Sequence, residues 1–425
     1  MNLHLILLLI ANLIFYAFLD LRALPVLIGL SLLTYLGGRI IFSLKRKSPA
    51  KNTKPICLAF IAVQIAVLCL FKYSSALSLP VGMSFYMLMA ISFLADVQRD
   101  EFGELPSVLH VLVYITFFPT VISGPIMKAK ELIPQFSSRK KLTRERCEEA
   151  AWMIVIGAFM KLAMADRIAV SVNSVYSAPL VYSGPSLFMA SIGYTLQLLF
   201  DFAGYSFMAF GAAELIGYDI TKNFNLPYIA KNPSEFWRRW HISLSSWLKD
   251  YVYIPLGGSR KGKMRTYLNI FIVMAVSGLW HGSTFNFFVW GMLHGLGQVV
   301  HRLFTKGMKK DASGPAVGIF SSILNFLFVS FLWIPFRLPI KDAWTVFLRI
   351  ITFSAGASYY YVYTFIFAAA LLVVQLIGVK YSDGNDPIRP LPLSKLYGRV
   401  IFCIMIIATA MFAYFGSGAF IYAKF

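Results

Sequence analysis

Charge is scarce in this 425-residue sequence, and acidic charge scarcest: 14% of residues are charged, 39 of them Lys or Arg and only 19 Asp or Glu. Globular domains carry about a quarter charged residues, so a water-soluble fold is excluded. Cysteine is nearly absent. The four thiols, Cys57, Cys69, Cys147 and Cys403, show no C-x-x-C spacing or pairing pattern. Three of them fall in apolar runs, where a thiol acts as a small hydrophobe, and no disulfide framework is expected. Nucleotide and hydrolase motifs are also missing. Gly204-Tyr205-Ser206 lacks the second glycine of a nucleophile elbow, Gly295-Leu296-Gly297 stops short of a dinucleotide fingerprint, and neither a Walker A loop nor H-E-x-x-H occurs. Nothing supports an ATPase, a serine hydrolase, a zinc protease or any metal site.

Apolar sequence is what the chain has in abundance: 58% hydrophobic and 16% aromatic residues, mean hydropathy +0.68. Runs near twenty residues recur from end to end, the length that crosses about 30 Å of hydrocarbon. The expectation is an all-α polytopic membrane protein forming one domain over residues 1–425. Candidate segments are 3–19, 23–43, 55–73, 82–97, 108–126, 149–165, 185–217 (long enough to be kinked or split), 267–280, 284–303, 316–335, 359–379 and 398–416. These make eleven or twelve full or partial spans. The first is read as a retained span, because no basic n-region or cleavage site accompanies it.

The net charge of +20 is explained by cytoplasmic loops that collect Lys and Arg, so no nucleic-acid partner is expected. The basic clusters are Lys45-Arg46-Lys47, Arg139-Lys140-Lys141, Arg260 to Arg265 and Lys309-Lys310. An inner face of this kind would also attract an anionic acyl donor. Three segments separate the first two clusters, an odd number that cannot join loops on one side. Either one of 55–73, 82–97 and 108–126 fails to cross, or one loop breaks the rule. Lys161, Asp166 and Asp201 stand inside or at the ends of apolar runs. Lys161 and Asp166 read as interfacial residues that snorkel, while Asp201 is balanced between an interface and a polar cavity.

Charged, aromatic and histidine side chains crowd together in one stretch, Asn232 to Ser283. Asn232-Pro233-Ser234-Glu235 is a helix start, with a capping Asn, Pro at the first position and Glu at the third. The helix is expected to run to about Ile254 and stop at Pro255 and Gly257-Gly258. On it, Trp237, Trp240, Leu244, Trp247 and Tyr251 form one stripe and Arg238, His241, Ser245 and Lys249 a second. It is too polar to cross lipid alone, so an interfacial or re-entrant helix is expected at 233–254. His241 taken by itself reads as a polar residue on an interfacial anchor.

His281, forty positions on, is different. No Asp, Glu, Lys or Arg lies between Thr266 and Leu293. A histidine in such a span is a functional hypothesis by default, and its ordinary pKa near 6.5 suits proton abstraction and return. His294 and His301 read as packing or interface residues of the next span. A histidine without a nucleophile beside it points to direct transfer with general-base help.

Several stretches together resemble the membrane-bound O-acyltransferases, in the bacterial branch that acylates alginate and teichoic acid. They are Pro80 to Tyr86, Phe117 to Pro125, Asp201-Phe202-Ala203-Gly204-Tyr205-Ser206, Asn223-Phe224-Asn225, Glu235 to His241 with Asp250 to Gly258, and Gly278-Leu279-Trp280-His281-Gly282. The resemblance implies helices around a central tunnel, with His281 and His241 as the catalytic pair. It places Asp201, Tyr205, Asn225, Trp237, Arg238, Arg239, Trp240, Ser277 and Trp280 along the substrate path. It also implies a cytoplasmic acyl thioester, acetyl-CoA or an acyl carrier protein, as substrate, with no bound cofactor. The acceptor would be a hydroxyl of an exported cell-surface polysaccharide, or a periplasmic or extracellular acyltransferase partner, reached from the bacterial inner membrane. Acetyl transfer is the first expectation and D-alanyl transfer the second. A transporter or flippase would fit the helix count and the basic loops, but would make no demand on His281.

Overall fold

The structure is a computed structural model describing residues 2–48, 50, 52–74, 76–305, 314–381, 391–414 and 416. Lys309 and Lys310 lie outside the described residues. Helices dominate, and an isolated bridge between Tyr182 and Ala357 is the only β pairing among the described residues. The membrane class holds: the stretches Leu3–Lys47, Lys54–Tyr73, Gly184–Leu215 and Ala316–Arg337 are long and apolar enough to cross a bilayer.

In chain order the helices begin with α1 (Asn2–Asp20), α2 (Leu24–Lys47), α3 (Lys54–Tyr73), α4 (Met83–Gln98) and α5 (Val108–Thr116). The short α6 (Ala129–Leu132) and α7 (Arg144–Ala158) follow, then a π-helical stretch, Phe159–Ala165, and α8 (Asp166–Tyr176). After α9 (Gly184–Leu215) come α10 (Pro233–Arg239), α11 (Ile242–Leu248), α12 (Lys263–His281) and α13 (Phe285–Phe304). The last are α14 (Pro315–Arg337), α15 (Ile340–Ile351), α16 (Val362–Tyr381) and α17 (Leu396–Phe412). The described residues group into two compact units, one within 1–151 and 209–221 and the other within 152–208 and 222–416.

In the first unit α2 packs on α4 and α5, and α1 on α5. The expected span 108–126 is corrected here: α5 stops at Thr116 after nine residues, about 14 Å of helix. Pro119 cannot donate, and the residue before a proline is pushed out of helical geometry, so the helix cannot continue. Asn12 takes up the loose end, donating to Thr116 Oγ1 at 3.3 Å and accepting from the Phe118 amide at 3.1 Å. A helix of this length is too short to span about 30 Å of hydrocarbon, which fits the reading that one of the three segments fails to cross. At the chain's return, Arg146 meets Glu214 at 3.4 Å and Asp219 at 3.0 Å, and Lys140 also pairs with Asp219.

The second unit holds the central stretch. Its α12 and α13 form a tight hairpin, α14 packs on α13, and α10 docks on α13. A Cβ at Gly278 would run into the Phe287 carbonyl oxygen, and one at Gly291 into that of Met274, so only glycine permits this approach. The long 185–217 segment is one unbroken helix, α9, rather than a split one. An amphipathic helix not foreseen, α15, buries Ala343, Val346 and Ile350.

The snorkelling reading of Lys161 and Asp166 is overturned. Lys161 Nζ sits 2.8 Å from Asp166 and 2.6 Å from Asp201, and all three residues are buried. Buried charges must be paired, and the π-helical stretch turns Lys161 toward both carboxylates.

Candidate functional site

The start of α10 forms as the sequence indicates. Asn232 Oδ1 accepts from the Glu235 amide at 2.8 Å, and Glu235 Oε2 accepts from the Lys231 amide at 3.0 Å. The rest of the expected 233–254 helix is corrected. It ends at Arg239; Trp240 is extended and His241 takes the left-handed conformation, φ 44°, ψ 54°. A second short helix, α11, then leads into a π-helical turn, Lys249–Tyr253.

Residues 223–225 impose the break. The Asn225 amide donates to the Arg239 carbonyl and the Ile242 amide to the Asn223 carbonyl, both at 3.0 Å. The Asn223 side chain accepts from the Ser243 amide at 3.2 Å and donates to Ser206 Oγ at 3.3 Å. These bonds take up the Arg239 carbonyl and the Ile242 and Ser243 amides, which a continuous helix would use itself, and hold His241 in a conformation L-residues seldom adopt. The two stripes read from sequence dissolve with the break, because residues on either side of His241 no longer share one helical axis.

His241 is fully buried, its ring edge-on to Phe202 at 4.7 Å and 6.0 Å from Trp280. His281, the last residue of α12, is 2% exposed and lies 4.8 Å from the Trp280 ring. One indole thus touches both histidines. On its other sides His281 meets Trp290 at 5.1 Å and Phe336 at 5.3 Å.

The remaining expected site residues divide. Trp237 and Trp240 are buried beside this cluster: the Trp237 indole donates to His294 Nδ1 at 3.3 Å, and Trp240 packs on Phe224, Phe236 and Trp333. Ser277 is buried one turn before His281. Asp201 is adjacent in sequence to Phe202, but its carboxylate is engaged by Lys161. Arg239 is held by Glu235 at 3.0 Å and by the Asn225 carbonyl at 3.2 Å, so Arg239 and Asn225 fix the break. Tyr205 is half-buried on α9 one turn beyond Asp201. Arg238 is exposed.

Sequence reading did not single out Trp290 or Asn223, and of its two readings of His294, packing or interface, packing holds. His294 is no interface residue: it is fully buried against Trp237, Trp290 and Phe236. A signal existed, since Trp290 and His294 are spaced by one helical turn and each is followed by a glycine. Among the described residues no group of His, Cys, Asp and Glu could hold a metal ion. Buried aromatic and imidazole groups, set around a backbone break, can orient an apolar carbonyl compound and move a proton.

The sequence matches the family described as membrane-bound O-acyltransferase over residues 13–340. It is 34% identical to a probable alginate O-acetylase of Pseudomonas putida over 356 residues, 78% of this chain and 71% of that protein. A peptidoglycan O-acetyltransferase of Helicobacter pylori is 30% identical, covering 78% of this chain and 70% of its own length. A teichoic acid D-alanyltransferase of Bacillus subtilis is 26% identical over 59% of this chain and 66% of its own.

Proposed function

Because the chain belongs to the membrane-bound O-acyltransferase family, we propose that it moves an acetyl group from a cytoplasmic thioester to a hydroxyl of an exported cell-envelope polysaccharide. A partner acyltransferase on the outer face is the alternative acceptor. The observation that carries this reading is the convergence of His241 and His281 on the single indole of Trp280. Relatives named for acetylation of alginate and of peptidoglycan support acetyl as the acyl group.

In this reading His281 accepts the proton of the acceptor hydroxyl as its oxygen attacks the thioester carbonyl. His241, held rigid by Asn223, orients the reacting carbonyl or steadies its developing charge. General-base help contributes about 10²–10⁴ in rate, and positioning of the two substrates supplies much of the rest. The basic loop at Arg260–Arg265 suits the anionic portion of a coenzyme A thioester or an acidic carrier protein. The thioester is a substrate, and the chemistry asks for no resident cofactor. The location that suits this traffic is the bacterial inner membrane, with donor and acceptor meeting in a tunnel between its faces.

The test is transfer by the purified protein in inverted vesicles, with labelled acetyl-CoA outside and acylated polysaccharide sought inside. Wild type should transfer label, and a folded His281→Ala variant should be slower by at least about 10²-fold. Equal rates would sink the mechanism. Transfer of D-alanine but not acetyl from a carrier protein would move the acyl assignment to that of the teichoic acid relatives.

A further inference from the structure

Two side chains on α13 and two on α12 repeat one spacing. Trp290 and His294 are one turn apart, as are Ser277 and His281. The helices run antiparallel through the turn at 282–284 and close on each other at Gly278 and Gly291. His281 faces Trp290 across this contact, with Ser277 one turn before His281 on α12 and His294 one turn after Trp290 on α13. Ser277, Trp290 and His294 all have zero exposure.

The His294 tautomer follows from its neighbour. Trp237 Nε1–H donates to His294 Nδ1, and a ring nitrogen that accepts carries no proton, so the neutral ring holds its hydrogen on Nε2. Among the described residues, His294 Nε2, Trp290 Nε1 and Ser277 Oγ are buried without a hydrogen-bond partner. Buried donors left unsatisfied are costly, and a cluster of them beside a catalytic base calls for an acceptor brought by the substrate. The carbonyl oxygen of an acyl group is such an acceptor.

We infer that Trp290 Nε1–H and His294 Nε2–H, with the Ser277 hydroxyl, are the hydrogen-bond donors that receive the acyl carbonyl oxygen of the thioester. The inference rests on the acyl-transfer reading above and adds residues that reading does not use. When the hydroxyl oxygen bonds to the carbonyl carbon, its proton passes to His281 and the carbonyl π pair moves onto oxygen, where these donors take the charge. Collapse of the adduct restores the carbonyl and breaks the carbon–sulfur bond. The thiolate then leaves with the proton from His281, so thioester and alcohol become ester and thiol.

Two measurements on the full chain in lipid nanodiscs test the inference. In turnover, Trp290→Phe keeps the ring and loses the donor; kcat should fall about 10²–10³-fold with little change in the donor KM. His294→Gln can accept from Trp237 and still donate, so it should retain far more activity than His294→Leu. Wild-type kcat in both Trp290→Phe and His294→Leu would overturn the inference. The second measurement needs no turnover. It compares binding of an acetyl-CoA analogue with methylene in place of the thioester sulfur, a ketone, with the alkyl analogue lacking the oxygen. Wild type should prefer the ketone, and a Trp290→Phe, His294→Leu double variant should lose that preference while binding the alkyl analogue as before. A wild type indifferent to the oxygen, or a double variant that keeps the preference, would overturn the inference. A ketone preference in a protein that transfers no acetyl would uphold the donor set and fault the acyl or acceptor assignment instead.

Discussion

His241 combines two demands in one residue, a ring inside the cluster and a backbone in the left-handed region. Asparagine tolerates that backbone, whereas a β-branched residue does not. His241→Asn should therefore melt near the wild-type temperature yet transfer acyl groups at least tenfold more slowly. His241→Val should lose stability as well, by about 1–2 kcal/mol. Thermal melts followed by fluorescence, read beside the transfer assay, separate the two effects; full activity in the Asn variant would remove His241 from the chemistry. At the buried ion triad, Lys161→Met leaves two carboxylates without their shared cation and should cost about 3–5 kcal/mol. Asp166→Asn leaves the Lys161–Asp201 pair in place and should cost much less. Chemical denaturation of the two variants gives the comparison, and equal losses would deny that the triad is organised around Lys161.

At the scale of elements, the α12–α13 hairpin sets the distance between His281 and Trp290. Gly291 lies at this contact, where a Cβ would meet the Met274 carbonyl. Gly291→Val should push the helices apart at a cost of about 1–3 kcal/mol, lowering both melting temperature and transfer. A variant with wild-type stability and rate would show that the close approach is dispensable. The N-terminus of α10 is a smaller matter: its capping bonds are local, and Asn232→Ala should cost about 1 kcal/mol. The break after α10 is another kind of feature, because its bonds come from residues 223–225 rather than from the helix itself.

For the whole molecule, charge decides orientation and acid stability. In the second unit α12, α13, α14 and α15 lie between the loop at Arg260 and the loop at Ser358. The twelve-residue amphipathic α15 is too short to cross, so three crossings are expected and the two loops should open on opposite faces. In a background without the native cysteines, Arg260→Cys should label only from the cytoplasmic side and Ser358→Cys only from the outer side. Labelling of both from one side would contradict the three crossings. In the first unit burial pushes the Asp219 carboxyl up, but hydrogen bonds and charge from Lys140 and Arg146 outweigh it and hold the group below its ordinary value. A depressed carboxylate contributes stability that is fully present above the unfolded value, about 3.9, and is lost as pH falls through the folded one. Melting temperature should stay level from neutral pH to about 5 and drop below about 4, less steeply in Asp219→Asn.

The helical membrane class, the cap at Asn232 and the singularity of His281 were all determined by the sequence alone. Each rests on neighbours within a few positions: runs of apolar residues, a side chain reaching its own helix start, a titratable ring with no other near-neutral group around it. Other features were decided only by tertiary structure. Asn223 reaches Ser243 across twenty positions to break the helix at His241, and Lys161 finds Asp201 across forty. His294 joins the cluster through Trp237, fifty-seven positions away. Periodicity assigns a residue to a face of its own helix and says nothing of what lies opposite. Inside an apolar protein the cost of an unpaired polar group is met by whichever partner the fold brings near, so pairings distant in sequence become legible only once the helices have packed.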